Sequence, residues 1–268
     1  MLPGVHQATK KDGTIYYRAS ITFRRKHISL GSFLSEQEAY EAYCDADKLL
    51  TQDMTMERLL SSYSDDWHIP FEKCVILLNF RDNKMYVGTP IYMRKNYFSY
   101  FLSQTEELKF DIDDLFYYSM HKIMKRGGHL FVNDYGMQVT VASRYGIKSH
   151  AVRGRDYDFA NDDPTDFRYS NIVIKNRFHG VSVYEKNGKK RYKVRIHING
   201  NYLVGSYSTE EKAAIAYNKA VDLARKAGIN RNYPENYVDM LSASEYADLY
   251  TKLKMSKKYL AYLQSLQS

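Results

Sequence analysis

From Lys193 to Ile198 the chain alternates strictly, with Val194, Ile196 and Ile198 apolar and Lys193, Arg195 and His197 polar. A period of two predicts a half-buried strand with the aliphatic residues inward and the cations and His197 outward. Residues 181–184 form a short run ahead of it, ended by Asn187-Gly188, and Asn199-Gly200 follows it and leads into residues 202–205. Asn-Gly suits the positive-φ backbone of tight hairpins, so two hairpins and three antiparallel strands are expected. The spacing then turns helical. Thr209-Glu210-Glu211 supplies a cap and acids for the positive end of the helix dipole, and Ala213, Ala216, Tyr217 and Ala220 share one face. Small alanines let such a helix lie close on a thin sheet, and covering one sheet face leaves the other open.

Residues 4–46 repeat the scheme found at residues 180–220. Gly4-Val5 answers Gly180-Val181, Asp12-Gly13 answers Asn187-Gly188, Gly31-Ser32-Phe33 answers Gly205-Ser206-Tyr207, and Ser35-Glu36 answers Thr209-Glu210. The second turn of this first copy falls at Arg24-Arg25-Lys26. Ser35-Glu36-Gln37-Glu38 reads as a capping box, with Ala39, Ala42, Tyr43 and Ala46 on the helix face behind it. An internal duplication sets a unit of roughly 45 residues as the element of organisation. Between the copies the pattern is mixed: a linker at residues 61–66, strands at 75–80 and 84–87, a helix at 113–124, and strands at 129–132 and 137–142. Residues 242–267 show helical spacing through Tyr246, Leu249, Leu253, Leu260 and Leu263, a tail expected to pack on the body or to support a homodimer. The expected divisions are 1–62, a linker at 63–70, 71–176, 177–232 and 233–268, an α+β chain of small sheets backed by helices.

Composition narrows the class of partner. The 268 residues are 44% apolar, enough for two or three small cores, and carry a formal net charge of +8. That balance, with a pI near 9.1, favours nucleic acid first and an anionic membrane second. Tyrosine dominates the aromatics, 26 residues against one Trp, which suits wet polar surfaces as well as half-buried sheets. Cys44 and Cys74 are too few for a disulfide framework or a structural zinc, and Cys44 is expected as a small buried hydrophobe. No run resembles a signal peptide or a membrane span, so a cytoplasmic protein is expected, associated with the nucleoid and not with a membrane.

The run FHGVSVYEKNGKKRYKVRIHINGNYLVGSYSTEEKAAIAYNKA, at residues 178–220, resembles the DNA-binding domain of plant ethylene-response factors, the apetala-two fold, and more closely its bacterial and phage relatives. The first copy is a weaker match that keeps Leu30-Gly31-Ser32-Phe33 and Ala42-Tyr43. The resemblance implies a three-stranded sheet that enters the major groove of double-stranded DNA. Carried over by alignment, the reading positions are Ser182, Tyr184, Lys193, Arg195, His197, Asn201 and Leu203 in the second copy. In the first they are His6, Arg18, Ser20, Thr22, His27 and Ser29. Plant members place arginine and tryptophan at several of these positions, where this chain has Ser182, Leu203 and Ser29, so its base preference is its own. On chemistry alone, Arg195 and Arg18 can grip guanine edges in bidentate fashion. Lys186, Lys189, Lys190, Arg191, Arg24, Arg25 and Lys26 sit where turns would meet phosphate.

Residues 158–172 resemble the Asp-His-x-Asn-Gly run of HNH endonucleases, with Asp158, Asn161, Asp166, Arg168 and Asn171 in register. The histidine that activates water in that family is Phe159 here, and the upstream His-Arg pair is Ser143-Arg144. Phenylalanine can neither deprotonate water nor hold a cation. Asp158 and Asn171 are vestigial metal candidates, with His150 or His129 as substitute bases. The expectation is therefore a degenerate domain with no catalytic residues, no metal and no cofactor, in which Arg144, Arg153 and Arg155 are the cations best placed for further DNA contact. The chain reads as a sequence-specific DNA-binding regulator of transcription or of a mobile element. The alternatives are a metal-dependent homing endonuclease and, more distantly, a protein-binding module.

Overall fold

The structure is a computed structural model that describes residues 1–267. It is mixed α and β, built from several small antiparallel three-stranded sheets with helices. The chain divides into two compact units, Met1–Val141 with Asp163–Asn171, and Ala142–Asp162 with the chain from Ile172 onward.

The first unit opens on β1 (Val5–Thr9), β2 (Ile15–Phe23) and β3 (Lys26–Phe33), antiparallel in sequence order. The second turn is tighter than expected. Arg24 and Arg25 alone form it, at φ 46° and 65°, and Lys26 already pairs with Phe23 as the first residue of β3. Between Ala19 and Ser20 the register slips by one, leaving Leu30 as the extra residue on β3, buried in the core. Helix α1 (Glu36–Thr51) starts on the capping box: Glu38 N donates to Ser35 Oγ and Ser35 N to the Glu38 carboxylate, both at 3.2 Å. Ala39, Ala42, Ala46 and Leu49 are fully covered. Cys44 is exposed, contrary to expectation, because the helical period puts it about half a turn from Ala42 and Ala46.

Helix α2 (Met56–Ser62) extends into the expected linker, and α3 (Phe71–Asn83) occupies the stretch expected as a strand at 75–80. Cys74 to Phe80 are all buried, between α1 and the strands β4 (Ile91–Met93) and β5 (Tyr97–Ser103). A run that is apolar on every side has no period to separate a buried strand from a buried helix. Residues 84–87, also expected as a strand, form the loop that follows Lys84 at φ 61°. Arg81 closes the end of α1: its guanidinium donates to the carbonyls of Leu49 at 2.8 Å, Gln52 at 2.9 Å and Met54, and its Nε to Asp82 at 2.7 Å. Arg81→Met should cost about 2 kcal/mol in urea unfolding, since carbonyls at a helix's negative end lose a charged donor.

Strand β6 (Glu106–Asp111) completes a β4-β5-β6 meander that the pattern did not reveal. The helix expected at 113–124 is only α4 (Leu115–Met120), after a tight turn at Ile112–Asp114, because β7 (Met124–Arg126) begins within that range. β7 pairs with β8 (His129–Asp134), and β8 with β9 (Met137–Thr140). The segment Asp163–Asn171 is strapped to β6: Phe167 N donates to Lys109 O at 2.8 Å, Lys109 N to Thr165 O at 3.0 Å, and Phe167 stacks on Phe110 at 5.6 Å.

A single turn, α5 (Val141–Arg144), stands at the boundary, and in the second unit β10 (Tyr157–Phe159) pairs with β11 (Ile172–Ile174). The second copy then follows as β12 (Val181–Lys186), β13 (Lys189–His197), β14 (Asn201–Tyr207) and α6 (Glu210–Lys226), with Thr209 capping α6 through Lys212 N. It reproduces the bulge of the first copy. The register slips between Val194 and Arg195, and Val204 is the buried extra residue. The glycine before each first strand has φ 71°, and its carbonyl accepts from the bulge residue, Gly4 O from Ser20 N at 2.9 Å and Gly180 O from Arg195 N at 2.8 Å.

The tail is two helices, α7 (Ala243–Lys252) and α8 (Lys257–Ser265), with a break where Ser256 N donates to Val204 O at 2.7 Å. It packs on its own unit. Tyr259 and Leu263 are buried, Tyr259 donates to Ala220 O at 2.8 Å, and Tyr262 stacks on Tyr202 at 4.1 Å. No helix among the described residues is long and apolar enough to cross a membrane.

Candidate nucleic-acid interface

Each repeated sheet has a helix face and an open face, and the strand register assigns every side chain to one of them. In the second copy Ser182, Tyr184 and Lys186 lie opposite Lys193, Arg191 and Lys189, and beyond the bulge Arg195 and His197 lie opposite Leu203 and Asn201. These residues share the open face. The Lys193 ammonium lies 4.7 Å from the centre of the Tyr184 ring, and the Tyr184 hydroxyl is 2.7 Å from Ser206 Oγ. That hydrogen bond, with Arg191 and Lys186 nearby, holds the Tyr184 phenol below its ordinary pKa. Arg191 donates to Ser206 O at 3.3 Å, and His197 Nδ1 meets Asn201 Oδ1 at 3.1 Å. Tyr184, Lys186, Asn187, Lys189, Arg191 and Ser206 line an open hollow of about 520 Å³ that contains no carboxylate. Lys190 is not brought to it, since Lys190 pairs with Glu185 on the opposite face.

The first copy builds the same frame with different side chains. His6 lies opposite Arg18, and Thr22 opposite His27. Arg18, at the position equivalent to Lys193, sits 5.3 Å from the Tyr16 ring centre and donates to its hydroxyl at 2.6 Å, so a cation against a tyrosine recurs with the ring supplied by the middle strand instead of the first. The cross-strand pair recurs with its partners exchanged, the imidazole on the third strand in Thr22–His27, at 3.5 Å, and on the middle strand in His197–Asn201. Ser29 is exposed on this face, but Ser20, expected outward, is buried. A serine at the bulge is too short to clear its neighbours, where the longer Arg195 emerges. Arg24 and Lys26 also depart from expectation. Arg24 donates to Arg81 O at 3.5 Å and Lys26 lies 5.0 Å from the Tyr86 ring centre, so both lean on the body of the unit, leaving Arg25 at the turn.

The acidic run of the middle segment is engaged throughout. Asp158 pairs with Lys175 at 3.1 Å, accepts from Phe159 N at 3.1 Å and pairs with Arg153 at 3.3 Å, which together hold its carboxyl below the usual range. Asp163 accepts from Thr165 and Lys109, Asp166 from Arg168, and Asn171 donates to Asp166 O at 2.8 Å. Phe159 is buried in β10 beneath the Arg153 guanidinium. Among the described residues no three His, Cys, Asp or Glu side chains are grouped to hold a metal ion.

His150 and Arg155 lie beside the second open face. With Asp156, Ser182, Arg195, His197 and Asn201 they line a hollow of about 220 Å³ in which Arg155 is paired with Asp156 at 2.6 Å, while Arg153 is held by Asp158 and Asp162 and Arg144 ends α5. The His150 and His179 rings meet edge to face at 4.2 Å, and His179 Nδ1 is buried with no hydrogen-bond partner. Burial first, and then the neighbouring His150 and Arg155, push the His179 pKa from its ordinary 6.5 down to about 4. Between these values the unfolded chain takes up a proton that the folded chain refuses, so stability falls as pH drops from 6.5 towards 4. Because water reaches part of the ring, the loss should be about 1–2 kcal/mol, and urea unfolding of His179→Gln should lack it.

Searches of family models, of curated proteins and of solved structures find no match to this chain. Tyr16 and Ser206 are the open-face residues that sequence reasoning missed. The signal for Tyr16 was its place two residues before Arg18, on the same side of a strand.

Proposed function

We propose that the chain is a non-enzymatic, sequence-specific double-stranded DNA-binding protein with two sheet readers. One observation carries this. Two copies of one frame present, on the face the helix leaves open, a cation at equivalent middle-strand positions against a tyrosine of its own or the neighbouring strand (Arg18 on Tyr16, Lys193 on Tyr184) and an equivalent cross-strand imidazole pair (Thr22–His27 and His197–Asn201). An open three-stranded sheet is narrow enough for the major groove, where arginine can grip guanine and an amide adenine, and the hollow at Lys186, Lys189 and Arg191 suits phosphate. Two readers on one chain raise affinity by roughly 10² to 10⁴ when both reach one duplex. Regulation of transcription or of a mobile element, at the bacterial or phage nucleoid, is the role such a binder would serve.

Duplex binding should weaken steeply between low and moderate salt as phosphate counterions are released. Binding that ignores salt, or none to a random duplex pool, would overturn the proposal. Supercoiled plasmid with magnesium or manganese should stay intact, and nicking that disappears in Asp158→Ala would favour a nuclease instead.

A further inference from the structure

The β7-β8-β9 sheet of the first unit lies outside the duplication. Its inner face is fixed by buried Val132 and by Asp134, which accepts from the Tyr117 hydroxyl at 3.3 Å. Arg126 lies opposite His129, Phe131 opposite Met124 and Thr140, and Asn133 opposite Gln138, so these share the outer face. Arg126, His129, Asn133 and Gln138 are exposed, and none makes a side-chain hydrogen bond or ion pair with the described residues. Asparagine and glutamine add little to a strand's own stability, and here they surround a half-buried Phe131 with no carboxylate on the face. Both hairpin turns are two residues at positive φ, Gly127-Gly128 at 55° and 82° and Tyr135-Gly136 at 46° and 78°. Tyr135 is wholly exposed in a conformation that bulky residues rarely adopt, so nothing within the unit repays its strain.

We propose that this outer face is a third contact to duplex DNA, in which Asn133 and Gln138 read adenine edges in the major groove and Arg126 and His129 hold the flanking backbone. The inference rests on the chain being a duplex-binding protein. An amide side chain meets adenine in bidentate fashion, and a face with a cation and no acid suits a polyanion. The side-chain-free turn Gly127-Gly128 lets the main chain approach phosphate closely. A protein partner would ask for a cluster of exposed apolar anchors, and the apolar residues of this face, Phe131 and Met124, are both half-buried.

The test uses the full chain. Footprinting of wild type on its selected duplex should give three protected patches, and two would overturn the proposal. Asn133→Ala/Gln138→Ala should bind that duplex roughly 10- to 100-fold more weakly and lose preference at one block of A·T pairs while keeping the others. Arg126→Gln should reduce the salt slope by about one. Melting temperatures equal to wild type serve as the folding control. If wild type binds duplex and the variants keep its affinity and sequence preference, the third contact falls and the two-reader proposal stands. If wild type binds only single strands, or nothing, both fall.

Discussion

Gly180→Ala lowers the stability of the second sheet-and-helix layer by about 3–4 kcal/mol, combining left-handed backbone strain with overpacking. A Cβ on Gly180 would stand 2.3 Å from Tyr217 Cδ2 and 2.6 Å from the Arg195 carbonyl oxygen, at φ 71°. Tyr217 is 1% exposed and cannot swing aside. The three atoms nearest a Cβ on Gly4 all belong to Tyr43, the first at 2.1 Å, and Tyr43 is half-buried with solvent to move into, so the cost of Gly4→Ala should be nearer 2 kcal/mol. Tyr43→Leu should then recover part of the loss in Gly4→Ala. Tyr217→Leu should recover little in Gly180→Ala, because the carbonyl oxygen remains. Urea unfolding of the four variants decides it, and full recovery by Tyr217→Leu would refute the backbone clash.

Removing the cations of the second open face should change how DNA binding responds to salt more than which sequence is bound. For Lys186→Ala/Lys189→Ala/Arg191→Ala the log–log salt slope should fall by about 3, since each lost phosphate contact removes about one. Arg195→Ala should instead cost about 1–3 kcal/mol and relax preference at one base pair. Binding titrations at several salt concentrations separate these outcomes. An unchanged slope in the triple variant would remove this face from the interface.

The two repeated layers were legible because each copy annotates the other. Turns, caps and alanine faces that would be weak signals alone coincide at Asp12-Gly13 and Asn187-Gly188, and at Ser35 and Thr209. The middle of the chain offered no second copy. Cys74 to Phe80 hid a helix because burial on all sides erases its period. The short strands β4 and β6 hid because aromatic residues such as Phe98, Phe110 and Tyr118 pack as one cluster drawn from separate elements. Within the candidate interface, alternation placed Arg18, Lys193, Arg195 and His197 on the open face. It could not foresee that Arg24 would turn towards Arg81 or that a bulge would leave Ser20 covered, since both depend on contacts distant in sequence.

The two open faces differ sharply in charge. Lys186, Lys189, Arg191, Lys193 and Arg195 crowd the second, while the first keeps Arg18 and the turn residue Arg25. On a polyanion such an imbalance orders events in time. The second face would capture duplex at any sequence and slide along it, while the first, tethered by the same chain, samples base edges at low electrostatic drag. Arrival rate would then be governed by ionic strength through one face, and residence time by sequence through the other.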